Sequence, residues 1–248
     1  MLVKSLAIII PVINCFSYTI DLLGSIETKY PYKIILIDNG STDETQDYFG
    51  EKDGIKDLIY FRFPENKGVA GSWNFGVYYA TQKLRSEYFL ILNNDIILHS
   101  QAIDILLEEI EEKQTLLVTG TDISGRISSS KEIEGLLPPV ELVKTEAPEF
   151  SCFLIKKETI DKVGYFDEQF YPAYFEDNDY HYRIKIAGFK AYKINQALYF
   201  HYGSRTIKEE ENIRTKANLG YLPNKDYYSR KWGGEPGKEK YKTPFNNQ

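Results

Sequence analysis

The sequence predicts an α/β fold, a mixed, mainly parallel sheet flanked by helices. Three observations carry that prediction. Short apolar runs rich in β-branched residues alternate with segments of helical periodicity. Polar, turn-forming clusters follow several of those runs directly, where open α/β sheets place their ligands. A chain of 248 residues is also long enough to bury such a sheet.

The elements follow in chain order. Leu6–Val12 is a continuous, β-branched run and reads as a buried strand. Lys33–Ile37 reads as a second. Ser41-Thr-Asp-Glu44 has capping-box spacing and is expected to open a helix. Leu58–Phe63 reads as a third strand, and the turn Asn66-Lys-Gly68 leads into a helix over Gly71–Thr81. Tyr88–Leu92 is a fourth strand. Ile103, Leu106, Leu107 and Ile110 recur at helical spacing behind Ser100, the expected N-cap. Leu116–Thr121 is a fifth strand, and Gly125–Pro148 reads as a loop-rich excursion. Ser151–Lys156 is again strand-like. Glu176–Ala187 is a short helix ended by Gly188. Ala191–Ile194 and Ala197–His201 read as two short strands. Beyond Arg205 the pattern weakens, and only the acidic run Glu209–Glu211 stands out.

Composition narrows the classes. Hydrophobic residues make 42% and charged residues 27%, ordinary for a soluble globular protein. A net charge of -6 argues against wholesale binding to nucleic acid. From Arg205 onward ten Lys/Arg face six Asp/Glu, a local +4 that leaves -10 on the remainder. Cys15 and Cys152 are too few for a disulfide framework and suit a reducing cytosol. No Cys/His ligand cluster suggests a structural zinc site. The apolar run from Leu6 is far shorter than the ~18 residues that span a bilayer, so neither a span nor a signal peptide is expected.

Polar residues at the strand ends carry the chemistry. Asp38-Asn-Gly-Ser-Thr-Asp43 follows the second strand. A carboxylate there can accept a hydrogen bond from a pyrimidine N–H, or simply belong to a turn and helix cap. Asn66-Lys-Gly-Val-Ala-Gly-Ser-Trp-Asn74 is a glycine-bearing turn opening a helix, a geometry that lets N–H groups approach a diphosphate. It is not a P-loop, and an ordinary strand–helix turn accounts for it as well. Asn93-Asn-Asp95 supplies short oxygen ligands at a strand exit, suited to a hard divalent cation on a diphosphate. Glu176-Asp-Asn-Asp179 offers either a general base or acids favoured at a helix N-terminus, with Asp179 and Arg183 at ion-pair spacing. At about 100° per residue these acids cannot all face one cleft. His201 ends the last strand; His99 and His181 read as structural.

In this order and on these elements, the clusters resemble the family 2 glycosyltransferases, and most of all their rhamnosyltransferase-type branch. The resemblance runs from about Leu6 to Arg205. It is carried by Ile10-Pro11-Val12 with Asn14, by Asp38-Asn-Gly-Ser-Thr-Asp43, and by Asn66-x-Gly68-x-Ala70 with Asn74. Asn93-Asn-Asp95, Gly164-x-Phe166-Asp167, Glu176-Asp-x-Asp179 and His201 complete it. It implies the GT-A (Rossmann-like) fold over residues 1–205, with 206–248 an extension that packs on it or contacts acceptor or partner. It implies a nucleotide-diphosphate-sugar donor, a UDP- or dTDP-sugar, held by Pro11, Val12, Asn14, Asp38, Asn66, Gly68, Asn74, Asn93, Asn94 and Asp95. Asp38 would hold the uracil or thymine ring. Asp95 and His201 would ligate Mn2+ or Mg2+, and Asp177 would be the catalytic base of an inverting transfer to a glycan or lipid-linked hydroxyl. Glu176, Asp179 and Tyr174 would be acceptor-side or structural. Asn93 stands in place of the first acid of the family's DxD motif, and Ile13 where many relatives carry an aromatic.

A cytoplasmic place follows, with peripheral contact at the inner membrane face and a homodimer left open. The tail Tyr227-Tyr-Ser-Arg-Lys-Trp-Gly-Gly234 is expected to be a packed arm; contact with an anionic acceptor or a second subunit is the alternative. Two other functions compete. A sugar nucleotidyltransferase needs a GxGxR-type loop after the first strand, and Pro11-Val-Ile-Asn-Cys15 has no glycine. A non-catalytic carbohydrate- or nucleotide-binding protein on the same scaffold would not need Asp95, Asp177 and His201 together.

Overall fold

The computed structural model describes residues 5–50, 55–138, 144–145, 148–203 and 211–246. Strands and helices alternate as β1 (Leu6–Val12), α1 (Phe16–Gly24), β2 (Tyr32–Asp38), α2 (Thr45–Gly50), β3 (Leu58–Arg62) and α3 (Gly68–Tyr79). Next come β4 (Tyr88–Leu92), β5 (Ile96–Leu98), α4 (Ala102–Glu112), β6 (Leu117–Asp122), β7 (Lys144–Thr145) and β8 (Cys152–Lys156). The chain continues through α5 (Lys157–Val163), α6 (Glu176–Ile186), β9 (Ala191–His201) and α7 (Glu211–Trp232).

The strands form one sheet in the order β3-β2-β1-β4-β8-β6-β9-β5, with β7 paired to β9. β1 to β4, β6 and β9 run one way, and β5, β7 and β8 the other, so the sheet is mixed and mainly parallel as expected. Alternation along β1 explains the layers. Leu6, Ile8, Ile10 and Val12 enter one core with Leu22 of α1 and Ile103, Leu106 and Ile110 of α4. Ala7 and Ile9 enter the other with Trp73 and Val77 of α3 and Tyr180 and Ile184 of α6. Each fully buried isoleucine adds about 1.5–3 kcal/mol of apolar transfer. Gly76 lets α3 press onto the sheet: a Cβ there would lie 2.4 Å from Ile9 Cγ2.

Several local expectations need correcting. Ser41 does not cap a helix; its hydroxyl accepts from Asn14 N at 2.8 Å. Asp43 does the capping instead, receiving Thr45 N at 3.1 Å and Phe16 N at 2.9 Å. Ser100 bonds Glu134 rather than the end of α4. The two short strands after α6 are one strand, β9. It bulges over Ile194–Ala197, where its register against β6 shifts. Gly120 admits that bulge, since a Cβ would sit 2.9 Å from Ala197 O. The excursion Gly125–Pro148 contains a 3-10 turn (Ser130–Gly135) and β7, and part of it lies outside the described residues. Arg205, Glu209 and Glu210 also lie outside them.

The tail forms the longest helix. α7 holds 22 residues, with Pro223 inside it. Its C-terminal end buries Tyr228 and Trp232 against Phe170 and Phe175. Lys231 is buried too, 2.6 Å from both Asp167 Oδ2 and Asp179 Oδ1. Most of the aromatic–basic character of this segment thus lies inside the protein, with Arg230 exposed. Among the described residues no helix is long and apolar enough to cross a membrane.

Candidate active site

The carboxyl ends of β1, β2 and β4 open into one cleft. Pro11, Val12, Ile13, Asn39, Asn66, Gly68 and Val69 form one side of its lining. Asn93, Asn94 and Asp95 stand at the β4 exit, and Pro172, Ala173 and Ala217 close it.

Asp95 is 4% exposed, and its Oδ1 lies 3.1 Å from His201 Nε2. Antiparallel pairing of β5 with β9 brings the two together, because Ile96 stands opposite His201. The other ring nitrogen of His201 lies 3.4 Å from Ser151 Oγ, a contact that orients the imidazole. Asp95 lines the cleft and His201 stands behind it; a carboxylate oxygen and an imidazole nitrogen this close together fit a divalent cation whose other ligands come from a diphosphate and water. Among the described residues no third acid, His or Cys joins them to make a self-sufficient metal cluster.

Asn94 lines the cleft and donates to Thr19 Oγ1 at 3.1 Å and Asn14 O at 3.4 Å. Asn14 itself is not among the lining residues. It clasps the β1 and β2 exits, with Oδ1 accepting from Thr42 N at 2.7 Å. Asn14 and Cys15 both hold left-handed backbones, with φ of 54° and 60°, a strain concentrated at this strand exit.

Asp38 is completely buried and outside the lining set. Its carboxylate accepts from Ser41 N at 2.6 Å, from Tyr60 OH at 2.7 Å and from Arg62 Nη1. Burial opposes its charge, but the hydrogen bonds from Ser41, Tyr60 and Arg62 outweigh it and hold the carboxyl below its ordinary range. Its neighbour Asn39 reaches the cleft instead, held by Ser72 Oγ at 2.7 Å.

Gly68 has φ 77°, and a Cβ would meet Pro172 O at 3.0 Å, so only glycine fits. The amides expected to face a diphosphate here are already engaged: Gly68 N donates to Asn66 Oδ1 at 2.7 Å and Val69 N to Pro172 O at 2.9 Å. Asn74 is likewise committed, bonding Phe166 O and N at 2.9 Å each and Glu168 at 2.8 Å. It clamps the Gly164–Asp167 turn to α3 rather than reaching the cleft.

The acids of α6 divide as helix geometry requires. Glu176 and Asp177 line a second cleft with Tyr174 and Phe175, on the other side of the Pro172–Phe175 segment. Asp179 points away and is fully buried, bound by Arg183 Nε at 2.8 Å and Trp232 Nε1 at 2.8 Å, besides Lys231. Burial raises the Asp177 carboxyl, although Asn178 N donates to its Oδ1 at 2.7 Å. Burial, followed by the charge of Asp177, raises Glu176 well above the usual range. Tyr174 and Phe175, with φ of 79° and 74°, carry a second pair of strained backbones immediately before this helix.

Residues the sequence did not single out line both clefts. Asn39, Val69, Pro172, Ala173 and Ala217 belong to the first, and Tyr221, Lys225, Glu235 and Pro236 to the second. Asn39 and Val69, each inside a motif already noticed, carried a signal.

Comparison with known proteins identifies the family and the fold. The model of glycosyl transferase family 2 matches residues 7–160. A low-salt glycan biosynthesis hexosyltransferase of Haloferax volcanii is 25% identical over 62% of the chain and 53% of its own length. The glycosyltransferase GlyG of Streptococcus pneumoniae is 30% identical over 46% of the chain and 38% of its own length. The chain thus spans about half or less of these curated relatives. Among solved structures, S. aureus TarS 1-349 is similar with a TM-score of 0.60 at 14% identity, covering 92% of this chain and 73% of TarS 1-349. A mannosyltransferase of Pyrobaculum calidifontis, in complex with GDP-Man and Mn2+, is similar with a TM-score of 0.59 at 17% identity, covering 79% and 56%. The fold is therefore GT-A, and with the family model matching more than half of its length the chain belongs to glycosyl transferase family 2.

Proposed function

We propose that the chain is an inverting glycosyltransferase that moves a sugar from a UDP- or dTDP-sugar to a hydroxyl of a glycan or lipid-linked acceptor. The observation that carries this reading is Asp95, lining a cleft at the strand ends and paired there with His201, one loop segment away from Asp177. TarS has been solved with UDP-GlcNAc and the Pyrobaculum enzyme with GDP-Man, which supports a nucleotide-sugar donor here. The rhamnosyltransferase-like motifs keep dTDP-sugars beside UDP-sugars as candidates.

In this reading Val12, Ile13, Asn39 and Asn66 receive the nucleotide, and Asn93, Asn94 and Asp95 its diphosphate end. Asp95 and His201 would hold Mn2+ or Mg2+, which when bound supplies Lewis-acid stabilisation of the leaving diphosphate. Asp38 fixes the β2 exit on which the nucleobase rests. Asp177 takes the proton from the attacking acceptor hydroxyl, on the ring face opposite the leaving group, which inverts the anomeric centre. Its raised carboxyl suits that task, because a base works best with a pKa closer to the working pH.

The test is transfer kinetics with UDP- and dTDP-sugars against a panel of glycan acceptors, comparing Asp177→Asn, Glu176→Gln and Asp179→Asn at equal folded fractions. Asp177→Asn should lower kcat by roughly 10²–10⁴ with donor affinity nearly unchanged. Retention of more than about a tenth of wild-type kcat, short of what a general base contributes, would remove Asp177 from the role.

A further inference from the structure

The second cleft has a feature that its acids alone do not explain. Its opposite wall comes from the far end of the chain. Ala217, Tyr221 and Lys225 are spaced by four along α7 and so form one row of that helix. Ala217 closes the first cleft, while Tyr221 and Lys225 line the second. The adjacent row docks the helix. At Gly220 a Cβ would lie 2.8 Å from Pro172 Cδ and 2.9 Å from Tyr171 O. The Asn224 amide nitrogen lies 2.9–3.3 Å from the carbonyl oxygens of Tyr171, Ala173 and Tyr174. Tyr228 is fully buried. The position of Tyr221 is therefore fixed relative to α6.

We propose that Tyr174, Glu176, Asp177 and Tyr221 form a subsite for an uncharged pyranose. The inference rests on the reading of Asp177 as the base, and makes that sugar the acceptor. Three observations support it. Tyr221 is 44% exposed and meets Tyr174 edge to face at 5.5 Å, leaving aromatic surface for the C–H face of a sugar ring. Glu176 is only 6% exposed, yet among the described residues its Oε2 has no hydrogen-bond partner. A buried polar atom left without a partner is costly, and a ligand hydroxyl would supply the missing bond. Charge then selects the ligand. Glu176, Asp177 and Glu235 face the cleft, and the one cation among its described lining residues, Lys225, is already paired with Glu235 at 2.8 Å. A phosphate group there would meet carboxyl groups with no free cation among the described lining residues, whereas sugar hydroxyls can donate to them. The cleft, at about 420 Å³, is of small-molecule size.

Saturation-transfer NMR tests this with methyl glycosides of glucose, galactose, mannose, N-acetylglucosamine and rhamnose, alongside glucose 1-phosphate as an anionic probe. UDP binding is measured on the same samples. At least one uncharged glycoside should bind the wild type and lose about tenfold or more in affinity in Tyr221→Ala. Tyr78→Ala, which removes an exposed tyrosine from α3, should leave that affinity unchanged. Glucose 1-phosphate should bind at least about tenfold more weakly than the best uncharged probe. Melting curves verify that the variants are folded. Binding that survives Tyr221→Ala, a preference for the phosphate, or no glycoside binding beside normal UDP binding overturns the subsite. Glycoside binding with the expected Tyr221 dependence but no UDP binding would instead overturn the donor reading and leave the sugar site standing.

Discussion

At the scale of single residues, Glu176 is the most informative group. It sits beside the proposed base, is almost wholly buried, and keeps one oxygen unpartnered among the described residues. Burial and the adjacent Asp177 charge raise its pKa on folding, so the folded state binds its proton more tightly than the unfolded chain. Stability from this group is complete below the unfolded value of about 4.3 and is lost as pH rises through the folded value. Glu176→Gln abolishes that dependence. The variant should therefore gain on the wild type between pH 4 and pH 8, by about 2 °C or more in Tm for each kcal/mol recovered. Scanning calorimetry at the two pH values checks this, and an unchanged Tm difference would show that Glu176 ionises freely. Asp38 has the opposite character, with charge held by Arg62 and Tyr60 in a buried setting. Asp38→Asn should leave Arg62 with a weaker partner and cost about 1–3 kcal/mol in urea unfolding. Nucleotide affinity should fall with it through the loosened β2 exit. A fall in affinity with no loss of stability would make Asp38 a direct ligand instead.

At the scale of elements, α7 ties the acids of the site to the end of the chain. Lys231 joins Asp167, in the loop that Asn74 clamps, to Asp179 on α6. Burial works against the Asp167 charge, but Lys231, Gln169 N and Tyr227 together outweigh it and hold that carboxyl below its ordinary range. Lys231→Met keeps the apolar stem and takes the ammonium from two carboxylates, leaving Asp179 with Arg183 and Trp232 and Asp167 with Tyr227. It should cost about 3–5 kcal/mol, the usual loss when one partner of a buried pair is removed. With a depressed folded pKa the lost stabilisation exists only above the unfolded carboxyl value, so the deficit should shrink below about pH 4. A loss under about 1 kcal/mol at neutral pH, the range of surface pairs, would show that α7 is merely laid against the domain. Nothing in the local sequence announced this helix. Gly220 and Pro223 interrupt it, and its buried residues lie mainly in its last two turns. The β1, β2 and β4 strands were legible for the converse reason, being continuous β-branched or apolar runs. Ser151–Lys156 was legible as a strand but not in direction, because an apolar run reads alike in parallel and antiparallel pairing.

At the scale of the whole molecule, the sheet collects strand-end clusters far apart in sequence, Asp95 and His201 being 106 residues apart. Asp95 and His201 meet because β5 and β9 pair antiparallel, a juxtaposition that no local pattern encodes. Part of the site was readable even so: Asn66, Gly68 and Asn93–Asp95 line the first cleft, and Asp177 the second. Asn14 and Asn74 had the same residue type and turn setting, yet their amides are consumed by backbone partners. Composition cannot tell an asparagine that meets a ligand from one that clasps two loops. The first cleft is proposed to take a nucleotide-diphosphate sugar through a cation held by Asp95 and His201. Calorimetric titration of UDP- and dTDP-sugars into the wild type and Asp95→Ala, each with Mn2+ and with excess EDTA, tests it most directly. Saturable binding of at least one donor is expected in Mn2+, weakened roughly tenfold or more both by EDTA and by Asp95→Ala. Equal affinity in all four conditions, or no binding of either donor class, would contradict it.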